Sequence, residues 1–184
     1  DQLMNNRTWP IAILICALSS SLWASDREWT IAKHLEVVGQ PSLDALLQSS
    51  SEFYRFIQYD PGITSSKIVL VHKGTNGIEL TAGGVSLHGY YEGAKAVYDK
   101  HSRFLTDAEW SAIQAKVDDL DFWNYTPNKK MGLDGSYWLI EAGKDGQTKS
   151  ITEWSPDPGY YRALCLYLWR ISGVFMGQYR NDDK

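Results

Sequence analysis

The chain has 184 residues and a formal net charge of −4, with 43% hydrophobic and 13% aromatic residues. This length and apolar content suit one globular domain with a core of its own. The mild negative charge excludes the strongly basic surface that is typical of nucleic-acid binding, and the chain has neither an acidic tail nor a polybasic membrane patch. Two cysteines are too few for a disulfide framework.

The first 24 residues have the pattern of a secretory signal peptide. Met4 is the predicted start, and Arg7 precedes the apolar run WPIAILICALSSSLWA, which ends at Ala24. The run is short and serine-rich for a membrane span, and an uncleaved N-terminal anchor is the alternative. Cleavage would remove Cys16 and leave Cys165, which we interpret as a small buried side chain. The sequence therefore predicts a periplasmic or secreted protein.

The chain divides into four predicted segments. Residues 1–24 are the signal peptide, and residues 25–51 form a loosely organised lead-in with a short helix near its end. Residues 52–177 form a single α+β domain, and residues 178–184 are a polar tail.

The first half of the domain predicts β-strands. FYRFIQY, which begins at Phe53, alternates apolar and polar side chains and stops at the turn DPG, residues 60–62. KIVLVHKG and IELTAGGVSL flank the hairpin turn TNG, residues 75–77, and the glycine pair at 83–84 predicts a bulge. Residues 94–105 fit a strand or a short helix, and we prefer the strand.

Two helices have clear end signals. Thr106 and Glu109 form a capping box, in which each side chain accepts a hydrogen bond from the backbone N–H of the other residue. Asp157 is the predicted N-cap of the last helix, YYRALCLYLWRIS, and Gly173 is its predicted end. The apolar stripe of the first of these helices consists of Trp110, Ile113, Val117 and Leu120.

The predicted fold class is α+β. It consists of an antiparallel sheet of about five to six strands with two main helices packed on one face, in the order β-β-β(-β)-α-β-β-α.

The hairpin in GLDGSYWLIEAGKDGQTKSITEWSP allows two registers. A two-residue loop places Trp138 opposite Glu153, whereas a three-residue loop with a glycine bulge pairs Glu141 with Lys149. We prefer the second register, because it brings opposite charges together. In that register Trp138, Ile140 and Trp154 share one face, and Tyr137, Leu139, Glu141 and Glu153 share the other.

The sequence contains no motif of a known active site. GxSxG, HExxH, the P-loop, GxGxxG after a strand and the EF-hand loop are all missing. The four histidines, at positions 34, 72, 88 and 101, have no metal-ligand spacing, although His72 and His88 could meet across a hairpin. We therefore predict no cofactor and no metal site.

An aromatic and acidic surface on the hairpin is the candidate binding site. Its residues are Tyr137, Trp138, Glu141, Glu153 and Trp154. Aromatic side chains of this kind bind sugars and protein partners, although the two tryptophans also fit core positions. A glycosidase would need two carboxylates about 5–10 Å apart, which Glu141 and Glu153 on one hairpin face could supply.

The motifs LTDAEW, GLDGSYWLIE, ITEWSP and YRALCLYLWRISG resemble an uncharacterised family of short exported bacterial proteins. The resemblance covers roughly residues 53–174 and implies an envelope location and an α+β fold, but no activity. Members of that family carry a basic residue before the tryptophan of the hairpin end, where this chain has Glu153. The resemblance therefore assigns no role to Glu153.

Our leading hypothesis is a non-enzymatic envelope protein that binds a protein partner, as an inhibitor or immunity-type factor. It rests on the predicted export, the small size, the missing cofactor motifs and the many aromatic residues. The alternatives are a cell-wall or glycan hydrolase that uses Glu141 and Glu153, and a carbohydrate-binding module.

The signal-peptide prediction has a direct test. The mature protein, expressed in a bacterial host and purified from the periplasm, should begin near Ser25, because cleavage is expected after Ala24. N-terminal sequencing checks this, and a soluble protein that still begins at Met4 or Asn5 would contradict it.

Overall fold

The computed structural model describes residues 31–62, 65–86, 96–128, 130–132 and 134–174. The predicted signal peptide, the polar tail and His88 lie outside the described residues. No helix within the described ranges is long and apolar enough to cross a membrane.

The described residues form four helices and six strands. The helices are α1 (residues 31–38), α2 (Leu43–Ser49), α3 (Asp107–Asp119) and α4 (Tyr160–Ser172). The strands are β1 (Glu52–Asp60), β2 (Ser65–Gly74), β3 (Gly77–Ser86), β4 (Ala96–Phe104), β5 (Tyr137–Lys144) and β6 (Gln147–Trp154). They form one antiparallel sheet in the order β4-β3-β2-β1-β5-β6. The predicted α+β class is confirmed. The strand that we preferred for residues 94–105 is confirmed over Ala96–Phe104, and residues 94 and 95 lie outside the described residues.

Local sequence signals account for the ends of α3 and α4. The Thr106 hydroxyl accepts a hydrogen bond from the Glu109 N–H at 3.2 Å, and the Glu109 carboxylate accepts one from the Thr106 N–H at 2.9 Å. This is the predicted capping box. Gly173 ends α4 in the left-handed conformation, at φ 71°. The prediction that Asp157 caps α4 is wrong, because the N-cap of α4 is Gly159. The Asp157 carboxylate instead forms an ion pair with the Lys130 ammonium at 2.9 Å.

The hairpin has the register that we did not prefer. Lys144 pairs with Gln147 and Trp138 with Glu153, so only Asp145 and Gly146 form the loop. Both loop residues have positive φ, at 52° and 76°. A two-residue turn of this kind matches the twist of the flanking strands, which explains why it displaces the longer loop.

The corrected register exchanges two predicted face assignments. Glu153 shares a face with Trp138, and Trp154 shares a face with Tyr137, because directly paired residues point to the same side of a sheet. The front face carries Trp138 and the back face carries Tyr137.

The front face forms the larger core with α3 and α4. Alternate strand residues such as Tyr54, Phe56 and Val69 belong to one buried cluster with Trp110 of α3 and Trp169 of α4. The predicted stripe of α3 lies in this cluster. Cys165 is also part of it, with no exposed surface, and burial raises the pKa of its thiol. The prediction of a buried cysteine is confirmed.

The back face is covered by the two helices of the predicted lead-in. Ile31 and Val38 of α1 cluster with Ile57 and Ile68 of the sheet. In the same way, Leu46 of α2 packs with strand residues of β1 and β2. Because helices cover both faces, β1 is buried at eight consecutive positions rather than at alternate ones.

His34 of α1 is fully buried on the back face. Its Nδ1 lies 2.6 Å from the Ser66 hydroxyl, and its ring meets the Tyr59 ring edge-on at 5.9 Å. The Nε2 atom has no hydrogen-bond partner among the described residues. Burial lowers the pKa of His34 from 6.5 to about 4, because the charged ring would lose its hydration.

The buried histidine predicts a loss of stability in mild acid. His34 in the unfolded chain becomes protonated as the pH falls below about 6.5, whereas His34 in the folded chain becomes protonated only near pH 4. The stabilisation is therefore complete above pH 6.5 and decreases by about 3 kcal/mol down to pH 4. Urea unfolding at pH 7.5, 5.5 and 4 checks this. The free energy of unfolding of His34→Gln should depend less steeply on pH than that of the unmodified protein, whereas His72→Gln should keep the same dependence. If His34→Gln keeps a dependence as steep as that of the unmodified protein, His34 is not the group responsible.

Candidate functional site

The structure divides the five predicted site residues between the two faces of the sheet. Trp138 and Glu153 lie on the front face, and Tyr137, Glu141 and Trp154 lie on the back face. Trp138, Glu153 and Trp154 are buried, with exposed fractions of 1%, 6% and 7%. These residues therefore do not form one exposed surface.

Trp138 is a core residue. Its indole lies between Phe56 and Trp169, with ring centroids 5.6 and 5.9 Å away, and its Nε1 donates to the Ser136 hydroxyl at 2.8 Å. The packing and the satisfied N–H explain its burial.

Glu153 holds the segment that follows α3 against the sheet. Its Oε1 accepts hydrogen bonds from the Tyr125 hydroxyl at 2.6 Å and from the Asn128 N–H at 3.0 Å. Burial and the hydrogen bond to Glu153 together raise the pKa of the Tyr125 hydroxyl to about 12. The contacts assign Glu153 a structural role.

Glu141 is engaged by a buried arginine. The Arg55 Nε donates to Glu141 Oε2 at 2.6 Å, and Arg55 is only 2% exposed. The predicted pair of Glu141 with Lys149 is wrong, because Lys149 lies on the front face and donates to two backbone carbonyls. The long-range partner was not visible in the hairpin sequence.

Tyr137 and Trp154 form a packed aromatic pair on the back face. Their ring centroids are 4.6 Å apart at an interplanar angle of 72°, and Tyr137 also stacks on Tyr59. Gly135 lies so close to the Trp154 ring that an added Cβ would stand 3.1 Å from it. The segment before β5 therefore covers this tryptophan.

The described residues contain no assembled catalytic group of the kinds considered above. Glu141 and Glu153 lie on opposite faces, so they cannot flank one substrate bond. Ser66 and His34 are hydrogen-bonded, but both are buried. No group of three or more His, Cys, Asp or Glu side chains in the described part of the chain could hold a metal ion.

The exposed edge of the sheet at β4 is a feature that the sequence analysis missed. Lys100, His101, Ser102 and Phe104 are exposed, and Phe104 has an exposed fraction of 63%. A run of polar residues in a strand does not show whether that strand lies at an edge, because strand order depends on distant partners.

The backbone of β4 presents hydrogen-bonding groups to this edge. The Leu105 N–H donates to the Ile78 carbonyl of β3 at 2.8 Å. Because an antiparallel ladder alternates, the N–H groups of Phe104 and Ser102 point away from β3. No strand in the described ranges pairs with β4 on that side.

A cavity of about 450 Å³ lies on the back face beside β4. The loop between α1 and α2 forms one wall, and strands β2, β3 and β4 form the floor. The lining residues include Gln40, Leu70, His72, Thr81, Lys100 and Ser102. No aspartate or glutamate is among the described residues that line it.

Two side chains set the polarity of the cavity. Gln40 Nε2 donates to the Thr81 hydroxyl at 3.2 Å, while Gln40 Oε1 is buried without a hydrogen-bond partner in the described residues. His72 Nδ1 lies 3.2 Å from the Ser50 hydroxyl, and its Nε2 lies 3.6 Å from the Glu79 carboxylate.

Comparisons with known proteins identify no relative. The chain matches no protein-family model, no curated protein and no solved structure. The resemblance to exported bacterial proteins therefore stays a prediction.

The buried position of Glu153 predicts a large effect of its removal. Glu153→Ala leaves the Tyr125 hydroxyl and the Asn128 N–H without their acceptor, so the free energy of unfolding should fall by about 3 kcal/mol. Glu79→Ala is the control, since this partly exposed acid should contribute less than about 1 kcal/mol. Urea denaturation of both variants checks this. Equal stability of Glu153→Ala and the unmodified protein would contradict a structural role.

Proposed function

We propose that the protein is a non-enzymatic binding factor of the bacterial cell envelope. It holds a protein partner, as an inhibitor or immunity-type factor, by adding a strand of the partner to β4. The envelope location rests on the predicted signal peptide.

The observation that carries the proposal is the edge of β4. The outward N–H groups of Ser102 and Phe104 lie in an exposed stretch that no described strand covers. An extended segment of another protein can pair with such groups, and its main chain then supplies most of the affinity. The exposed Phe104 ring adds an apolar contact beside them.

Features of β4 also limit indiscriminate pairing. The ladder between β3 and β4 shifts register between Ala82 and Gly84, and β4 carries the exposed cation Lys100. Bulges and lysines on edge strands reduce aggregation by twisting or charging the edge. An edge with these features favours a partner of matching shape and charge.

The alternative functions have less support in the geometry. The hydrolase hypothesis needs Glu141 and Glu153 in one cleft, and they lie on opposite faces with structural partners. The carbohydrate-binding hypothesis needs an exposed aromatic platform, whereas Trp138 and Trp154 are buried.

The proposal predicts that one backbone N–H matters for partner binding. Ser102→Pro removes the outward N–H but keeps the β3 ladder, because residue 102 does not donate to β3. Partner proteins are first captured from periplasmic extract with the immobilised mature chain. A captured partner should bind Ser102→Pro at least about tenfold more weakly than it binds the unmodified protein. Isothermal titration with the purified partner measures this change.

Two control variants make the test specific. Ser102→Ala keeps the N–H and should bind at least about tenfold more tightly than Ser102→Pro. Ser150→Pro removes an outward N–H at the opposite edge, on β6, and should bind like the unmodified protein, because Ser155 donates to Ser136 and the ladder alternates from there. A partner that binds Ser102→Pro as well as Ser102→Ala, or that loses affinity equally with Ser150→Pro, would contradict strand addition to β4.

A further inference from the structure

We infer that the cavity beside β4 receives an acidic side chain, aspartate or glutamate, from the strand that binds to β4. The inference rests on the proposed strand addition and names the chemistry of the partner. It follows from the position, the charge and the hydrogen-bonding capacity of the cavity.

The position of the cavity suits a side chain of an added strand. Lys100 and Ser102 belong to β4 and also line the cavity, so the cavity reaches the exposed edge. A strand laid against β4 directs every second side chain to the back face, next to these residues. In strand addition the pockets for alternate side chains provide the specificity.

The charge of the cavity favours an acid. Lys100 is exposed and forms no ion pair with any described residue. The Glu79 carboxylate, which lies 3.6 Å from His72 Nε2, is not among the described lining residues. A carboxylate beside Lys100 would therefore meet a cation with no competing acid among the described lining residues.

Gln40 and Lys100 supply the polar groups around the cavity. Gln40 Nε2 donates to the Thr81 hydroxyl at 3.2 Å, and Gln40 Oε1 is buried without a partner among the described residues. The Lys100 ammonium is the donor that a carboxylate in the cavity would use, and a hydrogen bond between two charged groups is stronger than one between neutral groups.

The test uses three matched peptides. Each is a capped nonapeptide of alternating threonine and valine, with glutamate, glutamine or lysine at the central position. Amide NMR spectra of the mature protein are recorded during titration with each peptide. We expect shifts at Ser102 and Phe104, with the glutamate peptide binding about fivefold more tightly than the glutamine peptide. The lysine peptide should bind most weakly.

Two lysine variants assign the charge effect to the cavity. Lys100→Gln should bind the glutamate and glutamine peptides equally, because the cation of the cavity is gone. Lys73→Gln makes the same charge change at an exposed residue outside the cavity and should keep the fivefold preference. Both variants should melt at the same temperature as the unmodified protein, which would show that the fold is intact.

The outcomes separate this inference from the proposed function. If all three peptides shift Ser102 and Phe104 with equal affinity, strand addition stands and the acidic side chain is excluded. If Lys100→Gln still prefers the glutamate peptide over the glutamine peptide, the preference does not arise from Lys100 and the inference is overturned. If no peptide shifts the β4 amides, both the inference and strand addition are overturned.

Discussion

The buried guanidinium of Arg55 joins three parts of the fold that are distant in sequence. It lies on the back face of β1, donates to Glu141 of β5 at 2.6 Å and donates to the Pro41 carbonyl at 2.6 Å. A buried cation needs such partners, because removing one leaves an uncompensated charge that costs about 3–5 kcal/mol. The position of β5 and of the loop between α1 and α2 are thus coupled through one side chain.

This coupling shapes the candidate site. The loop that Arg55 holds contains Gln40 and Pro41, which form one wall of the cavity beside β4. Gly39 in the same loop has φ 74°, a conformation that glycine adopts without strain. The Pro41 part of the cavity wall is therefore held by a hydrogen bond from the Arg55 guanidinium.

The two faces and the two edges of the sheet have different roles. Helices cover both faces, and the aromatic residues that looked available in the sequence are used to fill the two cores. The edges keep backbone groups that no described strand pairs with. The β4 edge and the cavity beside it on the back face are the surfaces that the proposed function uses.

The sequence by itself determined the features that depend on near neighbours. The capping box of Thr106 and Glu109, the end of α4 at Gly173 and the α+β class all follow from side chains a few residues apart. Local signals were weaker where two turn geometries competed, and the charge argument for pairing Glu141 with Lys149 selected the wrong register.

Only the tertiary structure decided where the partners were distant. Glu141 is taken by Arg55, which is 86 residues away, and the segment predicted as a loose lead-in covers the back face. Strand order makes β4 an edge, and no pattern within β4 reports which strands lie on either side of it. The physical reason is common to these cases: a side chain or strand binds the partner that the whole fold brings to it, and hydrophobic and charge patterns along the chain record only that a partner is needed.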